Sequence, residues 1–137
     1  MNIYALHQND LDIRWLEIAP FIEKGLDYCN NEMDILDAHT KIEEGDLIPL
    51  VIEEDNKILS VVTLEMVNFP KKRVLGITTA GGTELDMWLD QIMTVIDAIA
   101  KEQQADSIDI VGRKGWIKML DKYNYKYAHT VLSKEVN

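Results

Sequence analysis

Residues 78–100 read TTAGGTELDMWLDQIMTVIDAIA, and the change of period within them decides the fold. Leu85, Trp88, Leu89, Ile92, Val95, Ile96 and Ile99 recur at three- and four-residue steps, while Asp86, Asp90, Asp97 and Lys101 take the other side. This spacing predicts a helix with one buried stripe. It opens after Gly81-Gly82, with Thr83 as the expected cap and Glu84 and Asp86 in the first turn. Carboxylates there gain ~0.3–1 kcal/mol each from the helix dipole. Val74 to Thr78, just upstream, reads as a strand.

Working downstream, Ser107 to Val111 predicts a strand, Gly115 to Lys122 a short helix and Tyr125 to Lys134 a final strand. Asn124 suits a left-handed helix end. Upstream, Leu47 to Ile52 and Ile58 to Val67 form a hairpin signal around the polar turn Glu53 to Lys57 with Asp55-Asn56. Pro70-Lys71-Lys72-Arg73 makes the turn that follows. Asp34 to Glu44 fits a helix with Ile35, Ala38 and Ile42 inward and Gly45 just past its end. Asn2 to Leu6 predicts a short strand, and Asn9 or Asp10 then caps a helix carrying Ile13, Leu16 and Trp15 inward. Pro20 is expected to divide that helix, with a second segment through Ile22 and Leu26.

The chain of 137 residues has 24 acidic and 14 basic side chains, a formal net charge of −10. That size suits one domain over residues 1–137. The charge opposes attraction to nucleic acid or anionic lipid and suits a basic or neutral partner. Cys29 is the single cysteine, and the N-terminus lacks the pattern of a secretory signal, so the expected setting is cytoplasmic. No apolar run reaches the roughly 20 residues that span a bilayer.

Helices near the N-terminus, antiparallel strands, then strand, long helix, strand, helix and strand resemble the α+β arrangement of the GNAT (acyl-CoA N-acyltransferase) superfamily, a mixed central sheet with helices on both faces. The more specific likeness is to small GNAT-like proteins of phages and prophages. It is carried by Trp15 with Pro20, Val62-Thr63, Pro70 to Arg73, Gly81 with Trp88, and above all Gly112-Arg113-Lys114-Gly115-Trp116. The resemblance implies transfer of an acetyl group from acetyl-CoA to an amine, on a small molecule or a protein. A second implication is a non-catalytic GNAT-fold protein of the virion, or one that meets a host protein in the host cytoplasm.

Residue by residue, the resemblance assigns Thr79, Ala80, Gly81, Gly82 and Thr83 to the loop that turns backbone N–H groups toward the cofactor diphosphate. No Gln or Arg opens this loop, and Glu84 with Asp86 would repel the phosphates. Arg113 and Lys114 are anion-binding candidates, the alternative being a solvated basic turn. The tyrosine that protonates the leaving thiolate in many GNAT enzymes is replaced by Leu120, leaving Tyr123 as a substitute acid. Glu65, a carboxylate on a strand otherwise rich in apolar residues, is the candidate base. Lys71-Lys72-Arg73 reads as a solvated turn. His7, His39, His129 and Cys29 show no paired metal-ligand spacing, so no metal is expected. The phosphate-loop, dinucleotide and nucleophile-elbow motifs are absent from the sequence.

Overall fold

In the computed structural model, which describes residues 1–27, 32–112 and 115–136, the Asp55-Asn56 turn decides the centre of the sheet. Both residues take left-handed backbone, φ 51° and 64°, the geometry of a tight turn whose twist matches its strands. It joins β2 (Ile48–Glu54) to β3 (Lys57–Asn68). β1 (Asn2–Ala5) lies antiparallel on the far side of β2, and β4 (Arg73–Gly82) antiparallel on β3. β5 (Ser107–Ile110) then runs parallel to β4, giving the order β1-β2-β3-β4-β5.

One face of the sheet carries α1 (Leu11–Leu26) and α2 (Ile35–Glu43), with Ile18, Ile22, Ala38, Ile42, Val51 and Val61 buried between them. The other carries α3 (Leu85–Glu102), whose Trp88, Leu89, Ile92 and Ile96 meet Leu50, Val62, Leu64 and Leu75. The striped helix is therefore where its spacing placed it. α2 is closed at its start by a reciprocal capping box of Asp34 and Asp37, and Gly45 follows it with φ 83°. α4 (Gly115–Met119) is shorter than expected, because the chain tightens into a 3-10 turn over Asp121–Tyr123 that ends on left-handed Asn124.

Three sequence expectations fail. α1 is one helix with Pro20 inside it. Pro20 and Leu16 are both exposed, so the Leu16 carbonyl that loses its amide partner can be hydrated. The inward stripe is Leu11, Ile18, Ile22 and Leu26, while Ile13 and Leu16 are 79% and 88% exposed. Finally, the stretch expected as a strand from Tyr125 to Lys134 pairs with no other strand, and Val131 and Leu132 are exposed. Its β-prone composition does not make a strand without a pairing partner.

Candidate functional site

β4 and β5 pair from Val74↔Ser107 to Ile77↔Ile110 and then part. β4 runs on to Gly82 beside β3, so a cleft opens between it and the segment after β5. Thr78, Thr79 and Ala80 line one wall, Val111 and Gly112 the other, and Gly25 of α1 and Trp116 of α4 close it. At this point β4 contains a bulge. Thr63 pairs with Thr79 and Leu64 with Ile77, so Thr78 is the extra residue. A bulge re-aims the backbone locally, which is why such features recur beside active sites. It also interrupts the ladder, and a side chain takes over: Thr63 Oγ1 accepts from the Thr79 backbone N–H at 3.1 Å and hydrogen-bonds Thr79 Oγ1 at 2.6 Å, all buried. A polar pair is thus fixed under the cleft floor without an orphaned donor.

Several solved structures with this architecture are described as acetyltransferases. A probable acetyltransferase superposes with TM-score 0.73 at 12% identity, over 100% of this chain and 97% of its own. A predicted acetyltransferase from Clostridium acetobutylicum, whose structure was determined with acetyl-CoA, superposes with TM-score 0.69 at 18% identity, over 98% of this chain and 95% of its own. A ribosomal-protein-alanine N-acetyltransferase from Brucella melitensis biovar Abortus 2308 gives TM-score 0.69 at 13% identity, over 100% and 99%. The chain has the GNAT fold. No protein-family model matches it, and no curated protein matches it; at these identities the likeness is one of fold.

The sequence-assigned residues divide on this GNAT scaffold. Thr79 and Ala80 line the cleft. Gly81 and Gly82 do not form a loop; they are the end of β4, paired with Val61 and Ser60. Their missing side chains serve backbone packing. A Cβ on Gly81 would stand 2.2 Å from the Phe21 carbonyl oxygen of α1, and one on Gly82 would stand 2.3 Å from that of Leu59. Thr83 donates its N–H to the Leu59 carbonyl, and its own carbonyl accepts the buried Trp88 indole N–H at 2.8 Å. The helix cap is Glu84, in left-handed backbone at φ 57°, and not Thr83. Only Thr83 and Glu84 separate β4 from α3, which leaves no loop to wrap a diphosphate.

Glu65 points from β3 on the α1/α2 side, where Lys41 of α2 holds its carboxylate at 3.1 Å. It is one same-face position from Thr63, about 7 Å along the strand, and does not line the cleft. Tyr123 lies away from it too. Its hydroxyl donates to Asp90 on α3, and that hydrogen bond raises its pKa. Leu120 is 1% exposed and part of the α3-side core. Arg113 and Lys114 lie outside the described residues, as does Cys29. Sequence analysis missed Gly25 of the cleft, and placed Trp116 only as an anchor of its helix. The one signal available was Val62-Thr63, a hydroxyl in an apolar strand, whose cross-strand partner becomes visible only with the register.

The lining of the cleft suits a narrow amide-bearing chain such as the acyl-pantetheine end of acetyl-CoA, but its present width does not. The Trp116 indole lies over Gly112, where an added Cβ would meet it at 2.8 Å, and the free volume is about 30 Å³, room for one or two waters. The diphosphate end finds no cradle, because the glycines face backbone and the helix opens with Glu84 and Asp86.

Proposed function

We propose that the chain is a GNAT-type acetyltransferase whose ligand is the acyl-pantetheine portion of acetyl-CoA. The observation that carries this is the parting of β4 and β5 at the Thr78 bulge. It sets the stretch Thr78 to Ala80 of β4 along the cleft, where a linear amide-bearing chain could lie. Thr78, Thr79 and Ala80 would hold that chain, with Trp116 turned aside, and the Thr63–Thr79 pair would keep the β4 wall rigid. Bound acetyl-CoA would supply the acetyl group as an activated thioester for an amine acceptor. Glu65, once released from Lys41, would be the carboxylate that receives the acceptor's proton, through water because it does not line the cleft.

A second, non-catalytic reading is favoured by one specific arrangement: Leu120 is sealed in the core where the family's acid belongs, and Trp116 fills the cleft. In that reading the fold presents a surface to another protein, and the phage-type likeness of Gly112 to Trp116 makes a virion or host protein the expected partner.

Titration with acetyl-CoA separates the two by thermal unfolding. A ligand at a hundred times its Kd adds about 2.7 kcal/mol, hence several degrees of Tm for a domain of this size. The transferase reading expects such a rise, larger in Trp116→Ala, which widens the cleft. A flat Tm at millimolar acetyl-CoA in both proteins overturns it. Glu84→Gln with Asp86→Asn should increase the shift for acetyl-CoA but not for S-acetyl-pantetheine, which has no diphosphate.

A further inference from the structure

Where the first turn of α1 meets α2, each helix offers the other a pair of neighbouring side chains. On α2, His39 and Glu43 are four residues apart and share a face. On α1, Asp12 and Trp15 are three apart and share another. One ligand atom from each of Asp12, His39 and Glu43 lies within 4.8 Å of the other two, and His39 Nε2 stands 3.7 Å from Asp12 Oδ1. The sequence holds no paired His or Cys spacing to mark this set, because two of its donors are carboxylates and one of them comes from another helix.

The surroundings of the three groups point to a cation. Two carboxylates converge here, and among the described residues neither is ion-paired with a lysine or arginine. Like charges brought together are unfavourable unless a positive charge joins them. Lys41, on the same helix as His39 and Glu43, is turned to Glu65. The imidazole is also held in place independently of the carboxylates. Trp15 meets it edge-on, with ring centroids 4.6 Å apart and planes at 86°, and Trp15 itself packs against the core beneath α1 and α2. The half-buried ring is thus fixed, whereas the exposed Asp12 and Glu43 side chains are able to close on an ion. Zinc bonded at about 2.0–2.2 Å places tetrahedral ligand atoms about 3.4 Å apart, so the closure required is at most ~1.4 Å.

We propose that Asp12, His39 and Glu43 bind a divalent transition-metal ion of the zinc class, with water completing its shell, and that the ion clamps α1 to α2. One imidazole nitrogen among the donors favours zinc and its neighbours over magnesium or calcium, which prefer oxygen alone. Two carboxylates and a neutral imidazole balance the charge of the ion. The clamp adds three bonds across a helix pair otherwise joined by apolar contacts such as those of Ile18, Ile22, Ala38 and Ile42. Asp12 is about 20 Å along α1 from Gly25, the residue of that helix that lines the cleft, so the ion touches nothing bound there.

Zinc chloride alone is the probe, titrated into the full chain at submillimolar concentration in a buffer that does not chelate metals. One Zn²⁺ should bind per chain and raise Tm by several degrees, while Mg²⁺ and Ca²⁺ at the same concentration should not. The His39 ring-proton resonances should move on zinc addition, and those of His7 and His129 should stay. His39→Gln should abolish binding. Asp12→Asn and Glu43→Gln should each weaken it by about tenfold or more; both residues are exposed, so these variants decide the matter if His39→Gln loses its contact with Trp15 and misfolds. Absence of saturable zinc binding overturns the proposal. So does an equal Tm rise with Mg²⁺, which would be screening of the net charge of −10. Binding that survives Asp12→Asn and Glu43→Gln, or that is lost only when Cys29, His7 or His129 is replaced, overturns it as well, since the ion would then sit elsewhere. None of these outcomes depends on acetyl-CoA.

Discussion

At the scale of the residue, the least replaceable side chain near the cleft is Thr63. Its hydroxyl is buried on an otherwise apolar strand and serves two groups, the Thr79 N–H and the Thr79 hydroxyl. Thr63→Val keeps the shape and removes both contacts, leaving the buried Thr79 amide and hydroxyl without the oxygen they meet in the parent. The cost of such a buried unsatisfied group is about 1–3 kcal/mol, read as a lower denaturant midpoint with unchanged slope. Thr79→Val should cost less, because Thr63 Oγ1 still accepts from the residue 79 amide. Equal losses in the two variants would show that the hydroxyl pair, and not the bulge amide, is what matters. Neither threonine's role was legible beforehand. A sequence shows a hydroxyl between Val62 and Leu64, but only the pairing of Leu64 with Ile77 reveals that Thr78 is an extra residue.

At the scale of the element, α1 and β4 approach backbone to backbone, and two glycines make this possible. A Cβ on Gly25 would stand 2.8 Å from the Thr79 Cβ, and one on Gly81 would stand 2.2 Å from the Phe21 oxygen. Gly81→Ala must push the helix from the strand, since neither atom belongs to a flexible side chain, and should destabilise by at least the ~1–3 kcal/mol typical of overpacking. Gly115→Ala is the contrasting case. No atom lies within 4 Å of its Cβ position, and alanine in place of a helical glycine should be neutral or stabilising by up to about 1 kcal/mol. If both substitutions proved neutral in thermal unfolding, the close helix–strand contact would be wrong. The same contact explains which parts of the fold the sequence could disclose. The hairpin around Asp55-Asn56, α2 with its cap and terminal glycine, and α3 with its stripe are specified by local signals, and they form as expected. In α1 two stripes compete. Ile13 with Leu16 and Leu11 with Ile18 and Ile22 both satisfy helical spacing, and the glycine contact with β4 selects the second. Gly81-Gly82 misled for a related reason: glycine marks either a turn or a close approach, and here the approach wins.

At the scale of the whole molecule, a strongly acidic surface surrounds a three-layer fold whose first strand is held by a mixed polar cluster. Tyr4 of β1 donates to Glu53 of β2, and Arg14 of α1 reaches both, at 2.9 Å to the Tyr4 hydroxyl and 3.0 Å to the Glu53 carboxylate. Strand, neighbouring strand and helix are thereby joined at one half-buried point. The Tyr4 hydrogen bond, aided by Arg14 and opposed by burial, holds the Glu53 carboxyl below its ordinary 4.5. Burial and the neighbouring carboxylate raise Tyr4. The sign for Glu53 follows from its depressed value. The fold favours the ionised form, so its contribution to stability is complete above about 4.5 and is lost as pH falls through the lower folded value. Repulsion within a chain of net charge −10 changes in the opposite direction, because protonating exposed carboxylates in the same window relieves it. The two effects can be told apart by Glu53→Gln, which removes the specific site and only one of 24 acidic groups. Urea unfolding at neutral pH should find this variant less stable than the parent. The difference should shrink as pH is lowered from about 4.5, and added salt should leave it largely intact while weakening the general repulsion. A difference constant across that range would mean that Glu53 acts by packing alone, and that β1 is held to the sheet by its ladder with β2 without help from the cluster.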